Sequence, residues 1–508
     1  MFSSVLSADV RGIFGVPILV ETDISDGLPG LTMVGYLTSA VKESADRVRT
    51  AMKNTGISLP PKKITINLSP ADTKKEGTGF DLAIAISMMC SLGMFPPESI
   101  EEMMFLGELG LDGSVKRIRG ILPMVEMAKE QGCKICVLPK ENVAEGRIVK
   151  GITCIGVSSL RAAMRYIIEK YSLEEENSVS KPSEEAQDMP DFSKIRGQEG
   201  VKVAAKIAAA GRHNLLMIGP PGSGKTMIAR CIPTILPPMS EEECFEVTKI
   251  YSVCGILSEG GSLVKERPFR APHHTVSVAA MVGGGRKVMP GEVSLSNHGC
   301  LFLDEITEIP RNVLESLRQP LEDGKVQISR VNGTDIFPAN TMLVAAMNPC
   351  RCGYYPDMNK CHCTTRDLSR HITKISMPFV DRMDLCVEVP RVAFEQLTAK
   401  EEGQTSKQLR EEVILAHEMQ KQRYQGTSYR FNADVKGADT ETYFRIGKKE
   451  KQLLSDAFES LHLTARSYHK ILKVARTVAD LDGKQDVERS HILQAICYRN
   501  VDRKFWMV

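Results

Sequence analysis

The sequence predicts a multidomain α/β protein: a mixed α+β head, a middle region built on a parallel sheet, and a helical tail. Three observations predict it. Through the middle of the chain, short apolar runs (LLMIG, CLFLDE, TMLVAAMN) alternate with helical patterns. Such β runs separated by helices imply parallel strands with their working loops at the strand carboxyl ends. After Pro390 the strand-like LCVEVP gives way to long charged helical patterns such as SKQLREEVILAHEMQKQRYQ. Finally, Ser172 to Pro190 (SLEEENSVSKPSEEAQDMP) is acidic and nearly free of large apolar residues, as a solvated linker is.

These breaks divide the chain into a head (residues 1–171), a linker (172–190), a middle domain (191–393) and a helical domain (394–508). The head mixes strand-like runs at Ile64–Leu68 and Ile135–Leu138 with helical runs at Phe80–Leu92 and Ile121–Gln131.

Composition sets the outer limits. In 508 residues the hydrophobic fraction is 42% and the charged fraction 25%, the balance of an ordinary globular protein. The formal net charge of +2 supplies no global field toward nucleic acid, so any basic surface must be local. The amino terminus shows no basic region followed by an apolar core, and no stretch is long and apolar enough to span a bilayer. The expectation is a cytoplasmic chain without membrane contact. Most of the 14 cysteines, among them Cys90, Cys231, Cys300 and Cys386, sit singly in apolar runs as buried thiols do in a reducing compartment.

The sharpest motif is Gly219-Pro220-Pro221-Gly222-Ser223-Gly224-Lys225-Thr226, between the apolar run Leu215–Ile218 and the helical MIARCI. Glycines there let backbone N–H groups cradle phosphates at a helix N-terminus. Lys225 brings charge to the β- and γ-phosphates of ATP, and the Thr226 hydroxyl is placed to ligate Mg2+. Cys300-Leu-Phe-Leu-Asp304-Glu305 is a buried strand ending in two carboxylates. Asp304 suits the magnesium and Glu305 the attacking water. A third strand ends at Asn348, whose amide would lie between the other two strand ends and help orient that water.

These stretches resemble the magnesium-chelatase-like AAA+ ATPases, most closely the ComM/YifB branch. The resemblance rests on IRGQEGVKVAAKIAAAGRHNLLMIGPPGSGKT, FRAPHHT, PGEVSLSNHGCLFLDE, LRQPLEDGKVQISR, FPANTMLVAAMNPCRCGYYPD, DRMDL and TARSYHKILKVARTVADL. In the head it rests on FSSVLSADVRGI, GLPGLTMVGY and GELGLDGSVKRIRGILP. It implies an AAA+ core, a helical lid domain and a homo-hexameric ring. It places Arg382 as the arginine finger acting on a neighbouring subunit's γ-phosphate, and Arg466 as the second sensor arginine of the lid. It also implies two pore-facing insertions, one near His273–His298 with the tip Gly283-Gly-Gly-Arg286-Lys287, the other the hairpin-like VQISRVNGTDIF. Phosphate contacts of single-stranded or branched DNA would then fall on Arg286, Lys287, Lys325 and Arg330.

The head resembles the peptidase domain of Lon proteases, which needs a nucleophilic serine and a lysine base. Here Thr78 stands near the serine position and Leu122 near the lysine position, so the head reads as a non-peptidase scaffold.

Two cysteine pairs, Cys350/Cys352 and Cys361/Cys363, are bridged by GYYPDMNK. Four thiolates suit a tetrahedral Zn2+, yet the one-residue spacing within each pair is tighter than usual, and a loop of free thiols is the other reading. Cys133 and Cys136 read as core. His273-His274 reads as a structural part of its insertion.

Function then stands as a ring-forming, ATP-driven DNA translocase or helicase, promoting branch migration during natural transformation or recombination. The alternative is a chelatase-type ATPase that remodels a protein partner.

Overall fold

The computed structural model describes residues 2–169, 190–258, 260–330, 333–392, 394, 403–461 and 463–506. The acidic segment, apart from Pro190, lies outside them. No helix among the described residues is long and apolar enough to cross a membrane. The chain divides into two compact units.

The first unit comprises residues 1–184 together with Glu241–Val264 and Gln327–Phe337. Its seven-stranded sheet runs in the order Gly30–Val34, Lys63–Ser69, Phe14–Ser25, Phe2–Arg11, Met103–Phe105, Ile135–Pro139, Thr153–Val157. Phe2–Arg11 and Phe14–Ser25 form an antiparallel hairpin in continuous register from Phe2↔Asp23 to Arg11↔Phe14. Lys63–Ser69 alternates buried and half-exposed residues, the period-2 pattern of a strand with one face on a core. The helix Asp81–Ser91 shares that core and is buried at every position, which explains its largely apolar sequence.

Two segments join this unit from far along the sequence. The helix Glu241–Cys254 packs on the helix Ile121–Glu130, with an ion pair from Lys249 to Glu126 at 2.7 Å. The Ser252 hydroxyl accepts from the N–H of Leu122 at 3.3 Å. Strands Lys325–Arg330 and Gly333–Pro338 form the two-stranded sheet expected of VQISRVNGTDIF. The Ile336 backbone approaches Gly12, at the turn of the first hairpin, so closely that a Cβ there would lie 3.0 Å from its carbonyl oxygen.

The second unit comprises Glu185–Ser240, Lys265–Val326 and Pro338–Val508. Its five-stranded sheet is parallel throughout, in the order Phe269–Arg270, Cys300–Leu303, Met342–Met347, Leu215–Ile218, Leu385–Glu388. Cys300–Leu303, Met342–Met347 and Leu215–Ile218 are buried at every position, as parallel strands covered on both faces must be. The remainder is helical, chiefly Ser406–Arg423, Lys448–Ser460, Ala465–Leu481 and Arg489–Trp506. Two of these helices start on side-chain caps: Thr405 with Gln408 closes a capping box, and Thr464 accepts from the N–H of Ser467. The multidomain α/β reading with a parallel sheet and a helical carboxyl-terminal region therefore holds.

Candidate nucleotide site

Three adjacent strands of the parallel sheet end side by side, and each ends in one of the residues singled out above. Leu215–Ile218 runs into the glycine-rich loop, Cys300–Leu303 into Asp304 and Glu305, and Met342–Met347 into Asn348. The pairing Leu215↔Val344 and Leu301↔Leu343 aligns the three ends. A period-2 backbone then decides which side chains meet.

In the glycine-rich loop Gly222 and Gly224 adopt φ of +74° and +86°. An L side chain rarely takes that conformation, so the loop turns tightly here and delivers Lys225 onto the first turn of the helix Lys225–Ile235. Lys225 is buried, and its Nζ donates to the carbonyls of Gly219 (2.8 Å) and Pro220 (2.9 Å) and to Asn348 Oδ1 (3.3 Å). Burial lowers its pKa, with the charges of Asp304 and Glu305 opposing. Next to it, Thr226 Oγ1 donates to Asp304 Oδ2 at 2.8 Å. A hydroxyl beside a carboxylate is the hard oxygen pair that magnesium takes.

Glu305 is exposed and stands at φ +47°, one of four non-glycine residues with positive φ among the described residues. Its N–H donates to Asp304 Oδ1 at 2.9 Å and its carbonyl accepts from the N–H of Glu308, so a tight turn fixes the strained backbone. Asn348 is held from its other side, where His371 Nε2 lies 3.0 Å from its carbonyl oxygen. Burial holds the His371 pKa below its ordinary value, so the imidazole is neutral near pH 7 and can donate.

Arg382 lies on the turn before Leu385–Glu388 and is ion-paired with Glu322. Its Nε is buried without a hydrogen-bond partner among the described residues. The backbone at this turn is gripped from three directions. Asn214 Nδ2 donates to the Arg382 carbonyl at 3.0 Å, while Lys470 Nζ and Arg499 Nη1 donate to the Met383 carbonyl at 2.9 and 2.8 Å. Arg466 is exposed on the first turn of Ala465–Leu481 and makes no ion pair among the described residues. Arg286 and Lys287 sit exposed in the turn of a small hairpin, Gly283–Gly284 with Met289–Pro290. Lys325 and Arg330 are exposed at the two ends of one strand.

The four cysteine sulfurs of Cys350, Cys352, Cys361 and Cys363 lie within 4.8 Å of one another. Three of the separations are 3.3 Å (Cys350–Cys352), 3.5 Å (Cys352–Cys361) and 3.8 Å (Cys350–Cys361). A disulfide would bring two sulfurs to about 2.05 Å. By contrast, burial raises the thiols of Cys154, Cys231 and Cys300 to about 11, 12 and 12, so these are inert core residues. Cys136 is raised in the same way.

In the head, Thr78 Oγ1 donates to Glu108, a carboxylate and not a lysine. Lys75, the nearest lysine in sequence, is fully buried and donates to the Pro70 carbonyl. Leu122 is buried in a helix. The His273 and His274 rings lie 4.0 Å apart, tilted by 36°, with His273 Nδ1 2.9 Å from Thr275 Oγ1.

Several residues at this site carry no mark in the sequence. Gln198, at φ +65°, donates through Nε2 to the carbonyls of Ser223 and Pro390. Its isolated position in IRGQE gave no signal. Glu322, Asn214, Lys470 and Arg499 are equally ordinary in sequence and acquire meaning only from their contacts with the Arg382 turn.

A family model described as "Magnesium chelatase, subunit ChlI" matches residues 191–397. Models for "Subunit ChlI of Mg-chelatase" and for its C-terminal region match 20–142 and 403–499. The uncharacterized protein YifB of Salmonella typhimurium is 39% identical over 498 residues, covering 97% of this chain and 96% of its own. That of Escherichia coli is also 39% identical, over 493 residues, covering 97% and 96%. The competence protein ComM of Haemophilus influenzae is 37% identical over 504 residues, covering 98% and 97%. Sheet, loop and strand-end carboxylates are those of the AAA+ class in its magnesium-chelatase-like form. Within that class the chain belongs to the ComM/YifB family.

Proposed function

We propose that the chain is an ATP-hydrolysing motor that works as a ring of like subunits, a hexamer by family, and moves along single-stranded or branched DNA. The convergence of Lys225, Thr226, Asp304, Glu305 and Asn348 at three neighbouring strand ends carries the ATPase reading. In it, the backbone N–H groups of Gly222–Thr226 and the Lys225 ammonium bind the β- and γ-phosphates. Thr226 and Asp304 hold magnesium, which neutralises phosphate charge when bound. Glu305 takes up the proton side of the attacking water, and Asn348 orients that water. Arg382 of one subunit reaches the γ-phosphate in the next, and Arg466 closes the site from the lid.

DNA as the substrate rests on likeness to the Haemophilus influenzae relative, whose name makes it a competence protein. Branch migration during transformation is the activity that would fit. The exposed Arg286–Lys287 tip, with exposed Lys325 and Arg330, supplies local positive charge on a chain whose net charge is only +2. ATP turnover measured with and without a branched DNA junction tests the reading, and stimulation by the junction is expected. The family models for a chelatase subunit favour a second reading, remodelling of a protein partner. Turnover indifferent to DNA would shift the weight there.

For the head we propose a scaffold without peptidase activity, since Thr78 faces a carboxylate. For Cys350, Cys352, Cys361 and Cys363 we propose one structural zinc. Four thiolates at about 2.3 Å from a tetrahedral zinc lie about 3.8 Å apart, the scale of the observed separations.

A further inference from the structure

The cysteine quartet is built into the frame of the nucleotide site. Cys350 comes two residues after Asn348, whose Oδ1 accepts from Lys225 at 3.3 Å. Cys363 immediately precedes Thr364, which caps the helix Thr365–Ile372 through a capping box with Asp367. That helix returns His371 to the Asn348 carbonyl at 3.0 Å. The path from Asn348 to His371 is thus a closed loop with the four sulfurs near its waist.

The same loop meets the glycine-rich loop. At Gly353, with φ +82°, a Cβ would lie 2.5 Å from Pro221 Cδ, so backbone stands directly against Pro221. Arg391 lies over the Tyr354 ring at 4.7 Å. It follows Pro390, whose carbonyl takes Gln198 Nε2, the amide that also donates to Ser223. The quartet's lobe therefore reaches the phosphate-binding loop by two routes, one direct and one through Gln198.

This lobe has almost no core of its own. Cys350, Cys361 and Leu368 are its buried centre, with Cys352, Tyr354, Tyr355 and Cys363 packed against them. So few apolar contacts do not hold a loop of this length in one conformation. The Tyr355 N–H points at Cys350 Sγ (3.4 Å), the kind of outer contact that orients a metal-binding thiolate. A metal would supply the missing cohesion, because its binding energy becomes local folding energy.

We infer that zinc held by Cys350, Cys352, Cys361 and Cys363 is a brace for the nucleotide site, fixing Pro221 and Asn348 so that ATP affinity depends on the metal. The inference rests on the ATPase and zinc readings above. Its distinguishing content is the coupling between them.

The test uses the full-length protein purified without chelator, with zinc measured by elemental analysis and affinity by titration with a fluorescent ATP analogue. About one zinc per chain is expected. The double variant Cys361→Ser, Cys363→Ser should lose zinc and bind nucleotide about ten- to a hundredfold more weakly, the scale of a charge-assisted hydrogen bond lost when the phosphate loop shifts. Gly353→Ala should keep its zinc yet bind nucleotide more weakly, since its methyl group displaces Pro221. That variant separates a positioning role from general misfolding. A zinc-free double variant with wild-type nucleotide affinity would overturn the brace and leave the metal site standing. Wild-type protein without zinc would overturn both. Zinc-loaded wild-type protein that binds no nucleotide would overturn the ATPase reading and the coupling with it.

Discussion

The guanidinium of Arg382 is ion-paired with Glu322 of its own chain. If Arg382 serves a neighbouring subunit's nucleotide, Glu322 competes for the same charge. The Glu322 side chain is 59% exposed, so solvent screens the pair and it is worth at most about 1 kcal/mol. Glu322→Gln should therefore raise ATP turnover up to about fivefold with little change in nucleotide affinity. Slower turnover in steady-state assays would mean that Glu322 positions the arginine.

Lys225→Ala removes the buried ammonium aimed along the phosphate-binding loop. Charge-assisted hydrogen bonds are worth about 1.5–3 kcal/mol, so nucleotide affinity should fall roughly ten- to a hundredfold. Glu305→Gln preserves size and the backbone turn but loses the base. It should bind ATP normally and turn over about 10²- to 10⁴-fold more slowly. Equilibrium binding and single-turnover hydrolysis separate the two, and parental hydrolysis by Glu305→Gln would refute the carboxylate assignment.

A composite site makes a stronger claim. Arg382→Ala should bind ATP yet hydrolyse it slowly, and mixing it with Lys225→Ala subunits should restore part of the turnover. Each mixed interface can then join an intact phosphate loop to an intact arginine. Absence of rescue, with full activity in a sedimenting monomer, would place hydrolysis within a single chain.

Arg286 and Lys287 stand in the exposed turn between Gly283–Gly284 and Met289–Pro290. Contacts from this tip to phosphates would be independent of base sequence and weakened by salt through counterion release. Replacing both by Glu should abolish DNA binding and DNA-stimulated turnover while basal turnover persists. Unaltered binding across a salt titration would remove the tip from the DNA interface.

In the helical region, Asp480 is fully buried between Arg423 and Arg476, bonded to both and to Asn432 Nδ2 at 2.8 Å. Asp480→Ala leaves two guanidiniums without their carboxylate in a dry setting. Breaking a buried pair in this way costs about 3–5 kcal/mol. Thermal unfolding of the full chain should show a large fall in midpoint, and an unchanged midpoint would contradict the burial argument.

The sequence by itself picked out the residues that the structure brings together at the three strand ends. The Gly219–Thr226 run, Asp304–Glu305 and Asn348 are legible because each ends a continuous apolar stretch, and a strand buried on both faces has to be written that way. Helix positions were legible for the same reason, as at Asp81–Ser91 and Ala465–Leu481, where burial or amphipathic spacing marks the face. The tertiary structure alone decided the rest. Glu322 meets Arg382 across 60 positions and Gly353 meets Pro221 across 132, and neither glutamate nor glycine is unusual in its own neighbourhood. It also decided that Glu241–Cys254 and the 327–337 segment join the compact unit built by the amino-terminal residues. Local pattern records what a residue must bury. Which partner it meets depends on chain closure over long separations, and no local pattern encodes that.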